Sequence, residues 1–480
     1  MRLGQTSFIH FISKSVASAI GFVATIYFAQ LLGADTLGIY FLILGLVSWI
    51  ELGGRMGVSS AITKRVSEGH EQGQYVVAGF LIIVGLSLSL SAAVFLFQNQ
   101  INGYIGDDVA ELIILLTIST LLFSFSMAVL KGSHLVHIFA LLSSAKIGLR
   151  SVLQVIAVFM GFGLTGLLVG YAFGWLITST ISLAFISIKW KRPTVRHFRR
   201  LISYAQYAWL GTVESRSFKW VDIVLLGFFV QSGLIGIYSV AWTIASFLNI
   251  FGTSISESFF PEISKRSSEG RIQNVAGLVE DTLAYAGLFL IPGLVGGFVL
   301  GDRVLAFYGD EFTEGTAVLS ILIAACLFYG YQKQLLNALN AIDRPQIAFR
   351  VNAVFILLNI TLNLLLIYLY GWIGAAVATA FVAVLGASLA YYSLSLYISF
   401  EVPTIEIVKQ TISAGIMGGV VLLTELLLES TIMSNNNVIA TLLLVALGSM
   451  IYFTLLFALS TRFRVVIVNN LPSNMLNFSN

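Results

Sequence analysis

Charged side chains away from the ends of otherwise apolar stretches are concentrated at eight positions: Lys14, Glu51, Arg55, Glu214, Arg216, Lys219, Asp222 and Glu257. A charge at mid-bilayer costs at least about 2.5–3.5 kcal/mol, so it faces a partner or a water-filled cavity. Glu51 and Arg55 are one helical turn apart with the acid N-terminal, the order that suits an ion pair. Around a helix turning about 100° per residue, Glu214, Asp222, Lys219 and Arg216 project at roughly 0, 80, 140 and 200°. That is half the helix surface, more than one salt bridge needs and suited to a polar cavity wall. Two basic groups within one turn fit an anionic group such as phosphate. The carboxylates fit uptake and release of H⁺ or Na⁺, because burial and neighbouring cations shift their protonation in opposite directions. Arg216 and Lys219 are therefore candidate substrate ligands, and Glu51, Glu214, Asp222 and Glu257 candidate coupling groups. The competing reading makes each acid a neutraliser of its basic neighbour. Asn352, Asn359 and Asn363 share one helix face within about 40°. Asn359 and Asn363 join the substrate-binding candidates, with interhelical hydrogen bonding as the alternative.

The elements that position these groups are membrane helices. Apolar residues make up 58% of the chain and charged ones 10%, against about 45–50% and 25% in soluble domains. A span needs about 20 apolar residues, and fourteen such stretches are present, at 12–32, 37–60, 76–97, 110–130, 142–161, 164–188, 203–228, 234–258, 279–300, 314–336, 347–369, 371–398, 405–427 and 437–460. The first reads as a span rather than a cleavable signal, because it is long and lacks a small-residue cleavage site. A lone cysteine, Cys326, excludes internal disulfides and Cys-based metal sites. His134 and His137 lack a further ligand. No phosphate-binding GxxxxGK[ST] loop is present, and no connection exceeds about 20 residues, which leaves no room for an extramembrane catalytic domain. No cofactor is expected.

The chain repeats itself. Gly38-Ile39-Tyr40 recurs at Gly236-Ile237-Tyr238, and Ile62-Thr63-Lys64-Arg65 through Glu68-Gly69 at Ile263-Ser264-Lys265-Arg266 through Glu269-Gly270. Gly106-Asp107-Asp108 answers Gly309-Asp310-Glu311, and Gly163-Leu164-Thr165-Gly166 answers Gly371-Trp372-Ile373-Gly374. The offsets rise from 198 through 201 and 203 to 208, as small loop insertions require. The expected organisation is an all-α polytopic membrane protein. Six-helix bundles occupy 1–188 and 203–400, a basic cytoplasmic linker 189–202, and two further helices with a tail 401–480. Such a duplication places a central site between the halves, the architecture of a transporter. The charged positions fall in spans 1, 2, 7 and 8, equivalent places in the two repeats. Lys and Arg gather on one side, most densely at Lys189, Lys191, Arg192, Arg196, Arg199 and Arg200, while the opposite side holds only Arg303 among acidic loops. That bias predicts a multi-pass protein of the cell (plasma) membrane with both termini cytoplasmic. The basic linker reads as a topology signal and not as a nucleic-acid site.

Several of these motifs carry a resemblance. Leu32-Gly33 before Gly38-Ile39-Tyr40, and Gly236-Ile237-Tyr238-Ser239-Val240-Ala241 before Phe260-Pro261-Glu262-Ile263-Ser264, resemble the polysaccharide-transporter (Wzx-type) flippases. Asn337-Ala338-Leu339-Asn340 with Arg344-Pro345 does so too. These flippases belong to the multidrug/oligosaccharidyl-lipid/polysaccharide exporter superfamily, and Asn340-Ala341-Ile342-Asp343-Arg344-Pro345 is similar to archaeal members. The resemblance implies two six-helix bundles plus two helices that open alternately to each face. It implies a polyprenyl phosphate or diphosphate carrying a sugar chain as substrate, with membrane lipids around it, and a non-enzymatic transport role. A cationic lumen is part of the pattern, and Lys14, Arg55, Arg216 and Lys219 fit it, although nearby acids bring the cluster close to neutral. An ion-coupled multidrug exporter of the same superfamily is the alternative, and fourteen spans rather than twelve argue against it. A membrane glycosyltransferase or polymerase would call for a large external loop or a metal-binding carboxylate cluster.

Overall fold

A long apolar segment in a bilayer can satisfy its backbone only within itself, as a helix, and among the described residues there is no strand. The computed structural model describes the backbone of residues 3–55, 57–208, 210–269, 272–429 and 438–470. Within these ranges it describes every side chain except those of 3–17, 55, 207–208, 210–212, 251, 253, 255–258, 272–274, 428–429 and 466–470. The helices are α1 (Leu3–Arg55), α2 (Val58–Ser67), α3 (Gln72–Leu96), α4 (Gln98–Ile105), α5 (Ala110–Gly132), α6 (Val136–Phe159), α7 (Gly163–Ala184), α8 (Val195–Ala208) and α9 (Leu210–Leu226). They continue with α10 (Ser232–Leu248), α11 (Ile250–Ser268), α12 (Ile272–Ala286), α13 (Leu290–Ala306), α14 (Thr316–Ala341), α15 (Pro345–Ser395), α16 (Thr404–Glu429), α17 (Val438–Leu459) and α18 (Thr461–Asn470).

Among the described residues, ten helical segments are long and apolar enough to cross a membrane. Two of them are broken by a glycine in a non-helical conformation, α1 at Gly33 (φ 76°) and α15 at Gly371 (φ 60°). Counting each broken helix twice raises ten to twelve. The remaining two of the fourteen expected spans fall on α9 and on α10 with α11. At 17 residues each, α9 and α10 are individually short of a bilayer-spanning length.

The structure divides into two compact units. One comprises Met1–Val240 with Asn352–Thr379, the other Ala241–Val351 with Ala380–Asn480. The first thus holds α1–α9, the first half of α10 and the middle of α15. Its core lies where α2, α3, α5 and α8 meet, around Ile62, Val66, Tyr75, Ile83, Phe125 and Leu201. α8 is clipped there: Arg196 donates to both oxygens of Glu71 at 2.7 and 2.6 Å, and the buried His197 packs edge-on against Tyr75.

Repeat glycines explain themselves in this unit. A Cβ on Gly38 would lie 1.8 Å from the Ser232 carbonyl oxygen, and one on Gly236 would lie 2.1 Å from that of Ala34. The two copies of the motif therefore pack on each other, and only glycine lets the backbones approach so closely. Gly163 and Gly371, equivalent in the repeats, both take positive φ, where an L side chain is disfavoured.

The second unit packs Ile263, Val279, Leu283, Leu335, Leu339 and Leu394 into one core. Pro292, in the first turn of α13, lacks the N–H that would bond the Leu288 carbonyl four residues earlier. Tyr452 of α17 donates to that oxygen at 3.0 Å, and Gln410 of α16 donates to the Ala284 carbonyl left at the end of α12 at 2.7 Å. Arg303 and Glu425, which are 2% and 11% exposed, form a further buried pair between α13 and α16. The two C-terminal helices are therefore fixed to α12–α13 through groups that the helix break frees.

Candidate functional site

In the first unit the second half of α1 and α9 bring Glu51 and Arg216 together. Arg216 donates to Glu51 Oε2 at 3.1 Å, to Ser48 Oγ at 2.9 Å and to the Ser48 carbonyl oxygen. Its side chain is 18% exposed and that of Glu51 7%. Glu51 thus pairs across helices with Arg216. The expected local partner, Arg55, has its side chain outside the described residues, as do Lys14 and Glu257. Lys219, one turn after Arg216, is exposed, and its ammonium lies 4.8 Å from the centre of the Trp220 ring.

A third cation belongs to this group. Arg150 of α6 and Arg216 both act on the Lys219 charge. Arg150 is also 5.0 Å from the Tyr171 ring centre on α7. By its place in the chain Arg150 counts with the cations that flank spans. It nevertheless lies eight residues inside the stretch 142–161, and that depth is the signal that could have assigned it to the site. Arg216 is paired with Glu51, so of the three positive charges Arg150 and the exposed Lys219 are the two with no carboxylate within ion-pair distance among the described residues.

Asp222 occupies different surroundings. It is 2% exposed and accepts from the Tyr238 hydroxyl of α10 and, at 2.7 Å, from the Thr379 hydroxyl of α15, with Asn363 as a further donor. Its Oδ1 and the Oδ1 of Asn363 have no hydrogen-bond partner. A buried carboxylate among oxygen-bearing side chains can take up a proton or a hard cation such as Na⁺. Tyr238 belongs to the repeated Gly-Ile-Tyr motif. Its counterpart Tyr40 instead accepts from the Gln154 amide at 2.9 Å, so only the second copy serves an acid. Glu214 is buried on α9. Asn359 and Asn363 are both fully buried: Asn359 accepts from Ser217 at 3.3 Å, and Asn363 donates to the Asn359 carbonyl at 2.9 Å. In this conformation they hold α15 to α9 and do not face solvent.

Residues 3–267 match a sequence family described as polysaccharide biosynthesis protein. Over 473 residues the chain is 31% identical to the probable flippase AglR of Haloferax volcanii, which covers 96% of this chain and 97% of the relative. The chain belongs to the polysaccharide biosynthesis protein family. A second relative from the same organism, the probable low-salt glycan biosynthesis flippase Agl15, is 27% identical over 95% of this chain and 96% of its own length. Among solved structures, the lipid II flippase MurJ in an inward closed conformation superposes with a TM-score of 0.80, at 19% identity over 96% of this chain and 100% of that one. An inward-facing multidrug resistance MATE family transporter gives 0.63 at 15% identity, over 81% and 98%. These structures share the fold with this member of the polysaccharide biosynthesis protein family, a multi-pass helical membrane protein.

Proposed function

We propose that the chain flips a polyprenyl-phosphate- or diphosphate-linked oligosaccharide from the cytoplasmic to the outer leaflet, for assembly of a cell-surface polysaccharide or glycoprotein. The observation that carries this reading is the cluster of Arg150, Arg216 and Lys219 inside an apolar bundle, with Lys219 an exposed residue. A phosphate group brings the negative charge that Arg150 and Lys219 lack, Arg216 being paired with Glu51. The same cluster repels a cationic drug, which disfavours a multidrug exporter even though the MATE fold is similar. Relatives named as flippases support a transporter over an enzyme.

In this proposal the sequence repeats 1–188 and 203–400 alternate the access of the site between the two membrane faces, and the lipid tail stays in the bilayer. Both termini lie in the cytoplasm of a plasma-membrane protein. Lys219 contacts phosphate, Arg216 holds α9 to α1 through Glu51 and Ser48, and Arg150 adds positive potential. Lys14 and Arg55 extend the cationic wall, while Asn359 and Asn363 reach a sugar only after α9 and α15 separate. Asp222 is the leading coupling group for H⁺ or Na⁺, with Glu51, Glu214 and Glu257 as further carboxylates. Deletion of the gene is expected to trap lipid-linked glycan on the cytoplasmic face, read by enzymatic accessibility in inside-out vesicles. Normal outward display without the protein overturns the proposal.

A further inference from the structure

Two helices of the second unit break beside each other. α10 gives way to α11 at Asn249, and α12 to α13 at Gly287–Phe289, inside the apolar stretch Val275–Ala306. Three buried oxygens without a hydrogen-bond partner gather at these breaks: Asn249 Oδ1, Tyr331 Oη of α14 and Gln410 Oε1 of α16. Asn249 and Gln410 are 9% and 3% exposed. A Cβ on Gly287 would lie 2.7 Å from Tyr331 Oη and 3.1 Å from Gln410 Oε1, so both oxygens stand over the bare backbone of one glycine. The Asn249 oxygen belongs to the same place. It lies 3.5 Å from a Cβ built on Gly330, the residue before Tyr331, and 3.1 Å from one on Gly252. The Gly252 position is in turn 3.6 Å from the carbonyl oxygen of Ala286, the residue before Gly287.

The Gln410 amide is oriented by its other end, because Nε2 donates to the Ala284 carbonyl at 2.7 Å. Its oxygen is therefore what faces Gly287. Amide oxygens only accept hydrogen bonds, so their gathering at membrane depth calls for positive charge. A cation satisfies several such oxygens at once, as carbonyl oxygens do when they replace the hydration shell of a monovalent ion. Broken helices are where transporters offer oxygens of this kind to ions. Glu406, one turn before Gln410, is engaged by Lys409 and Ser460, which leaves a neutral set of oxygens. Calcium and magnesium are held chiefly through carboxylates, whereas a neutral set suits Na⁺ or K⁺.

We propose that Asn249, Tyr331 and Gln410 bind one monovalent metal cation, Na⁺ or K⁺, at the paired helix break. The site is built by the second unit alone, whereas Asp222 belongs to the first, and it stands independently of the flippase reading. The bound ion ties the α12–α13 break to α14 and α16.

Retention of radioactive Na⁺ and of Rb⁺, which stands in for K⁺, by the full chain in detergent tests this. The unfolding midpoint is followed in parallel as NaCl or KCl replaces N-methylglucamine chloride at constant ionic strength. Asp222→Asn serves as the starting protein, so that an ion at that carboxylate is not counted. It is expected to retain one of the two ions and to gain stability from it, and the ion retained identifies the occupant. Adding Tyr331→Phe should weaken retention at least about ten-fold, the worth of one contact to a charged group. The midpoint in N-methylglucamine should stay level or rise, because the hydroxyl removed has no hydrogen-bond partner. Gly287→Ala, whose new carbon crowds the same two oxygens, should weaken retention as well. No retention of either ion by Asp222→Asn overturns the site, and so does retention that Tyr331→Phe leaves unchanged. Loss of retention together with a lower midpoint in N-methylglucamine makes Tyr331 structural and overturns its role as a ligand.

Discussion

Removal of Lys219 and removal of Arg216 are expected to have opposite signatures, although both delete one positive charge from the same turn of α9. Lys219 is exposed, and its ammonium lies 4.8 Å from the centre of the Trp220 ring, a contact worth about 0.5–1 kcal/mol at an exposed site. Its charge is opposed by Arg150 and Arg216, so Lys219→Ala relieves like-charge repulsion of comparable size. The unfolding midpoint of that variant should stay level or rise. A lost charge-assisted hydrogen bond to phosphate costs about 1.5–3 kcal/mol, which at 1.4 kcal/mol per decade is a roughly 10- to 150-fold weaker Kd for a polyprenyl diphosphate glycan. Arg216→Ala instead strips the guanidinium from Glu51, 7% exposed, and from both oxygens of Ser48. Breaking such a buried pair from one side costs about 3–5 kcal/mol, so the midpoint falls and weaker binding follows from loss of structure. Thermal unfolding in detergent, paired with titration in nanodiscs, separates the two variants. Wild-type affinity in Lys219→Ala refutes the phosphate contact. A midpoint that falls as far as in Arg216→Ala shows that Lys219 is structural and that the cation cluster is not poised for a ligand.

Three further outcomes are expected. Asp222→Asn should slow transport in proteoliposomes more than it weakens substrate binding, because it removes the charge among the Tyr238 and Thr379 hydroxyls. Wild-type transport that ignores imposed pH, Na⁺ and voltage gradients would leave Asp222 a structural residue. A reporter fused after Arg200 should lie in the cytoplasm and one inserted near Asp107 outside; finding both on one face breaks the fourteen-span topology. Gly38→Ala should lower the unfolding midpoint or the folded yield, since its Cβ meets the Ser232 carbonyl at 1.8 Å, and overpacking costs about 1–3 kcal/mol or more. Gly53→Ala, with open space around its Cβ, serves as the tolerated control.

Local chemistry was legible along the chain, and contacts between distant helices were not. Apolar run lengths, the duplicated Gly-Ile-Tyr and Lys-Arg-x-Ser-Glu-Gly motifs and the helix break at Pro292 all follow from neighbours in sequence, because hydropathy, backbone freedom and the missing proline N–H are properties of a few adjacent residues. The same holds for the charges of α9, whose angles around the helix are fixed by its pitch. Partners chosen across tens or hundreds of residues depend on how helices rotate and pack, which no local rule encodes. Glu51 has a plausible partner one turn away in Arg55, whose side chain lies outside the described residues, and the structure adds Arg216 from another helix, 165 residues on. Arg150 passed for a flanking cation until packing of α6 against α7 turned it toward Tyr171. Asp222 stood among cations in sequence, and tertiary structure gave it the hydroxyls of Tyr238 and Thr379. The sequence determined a duplicated helical membrane protein and the residue types at its polar heart. Only the packing decided which of those charges neutralise one another and which remain open to a ligand, because burying a charge makes its nearest partner in space, rather than in sequence, set its energy.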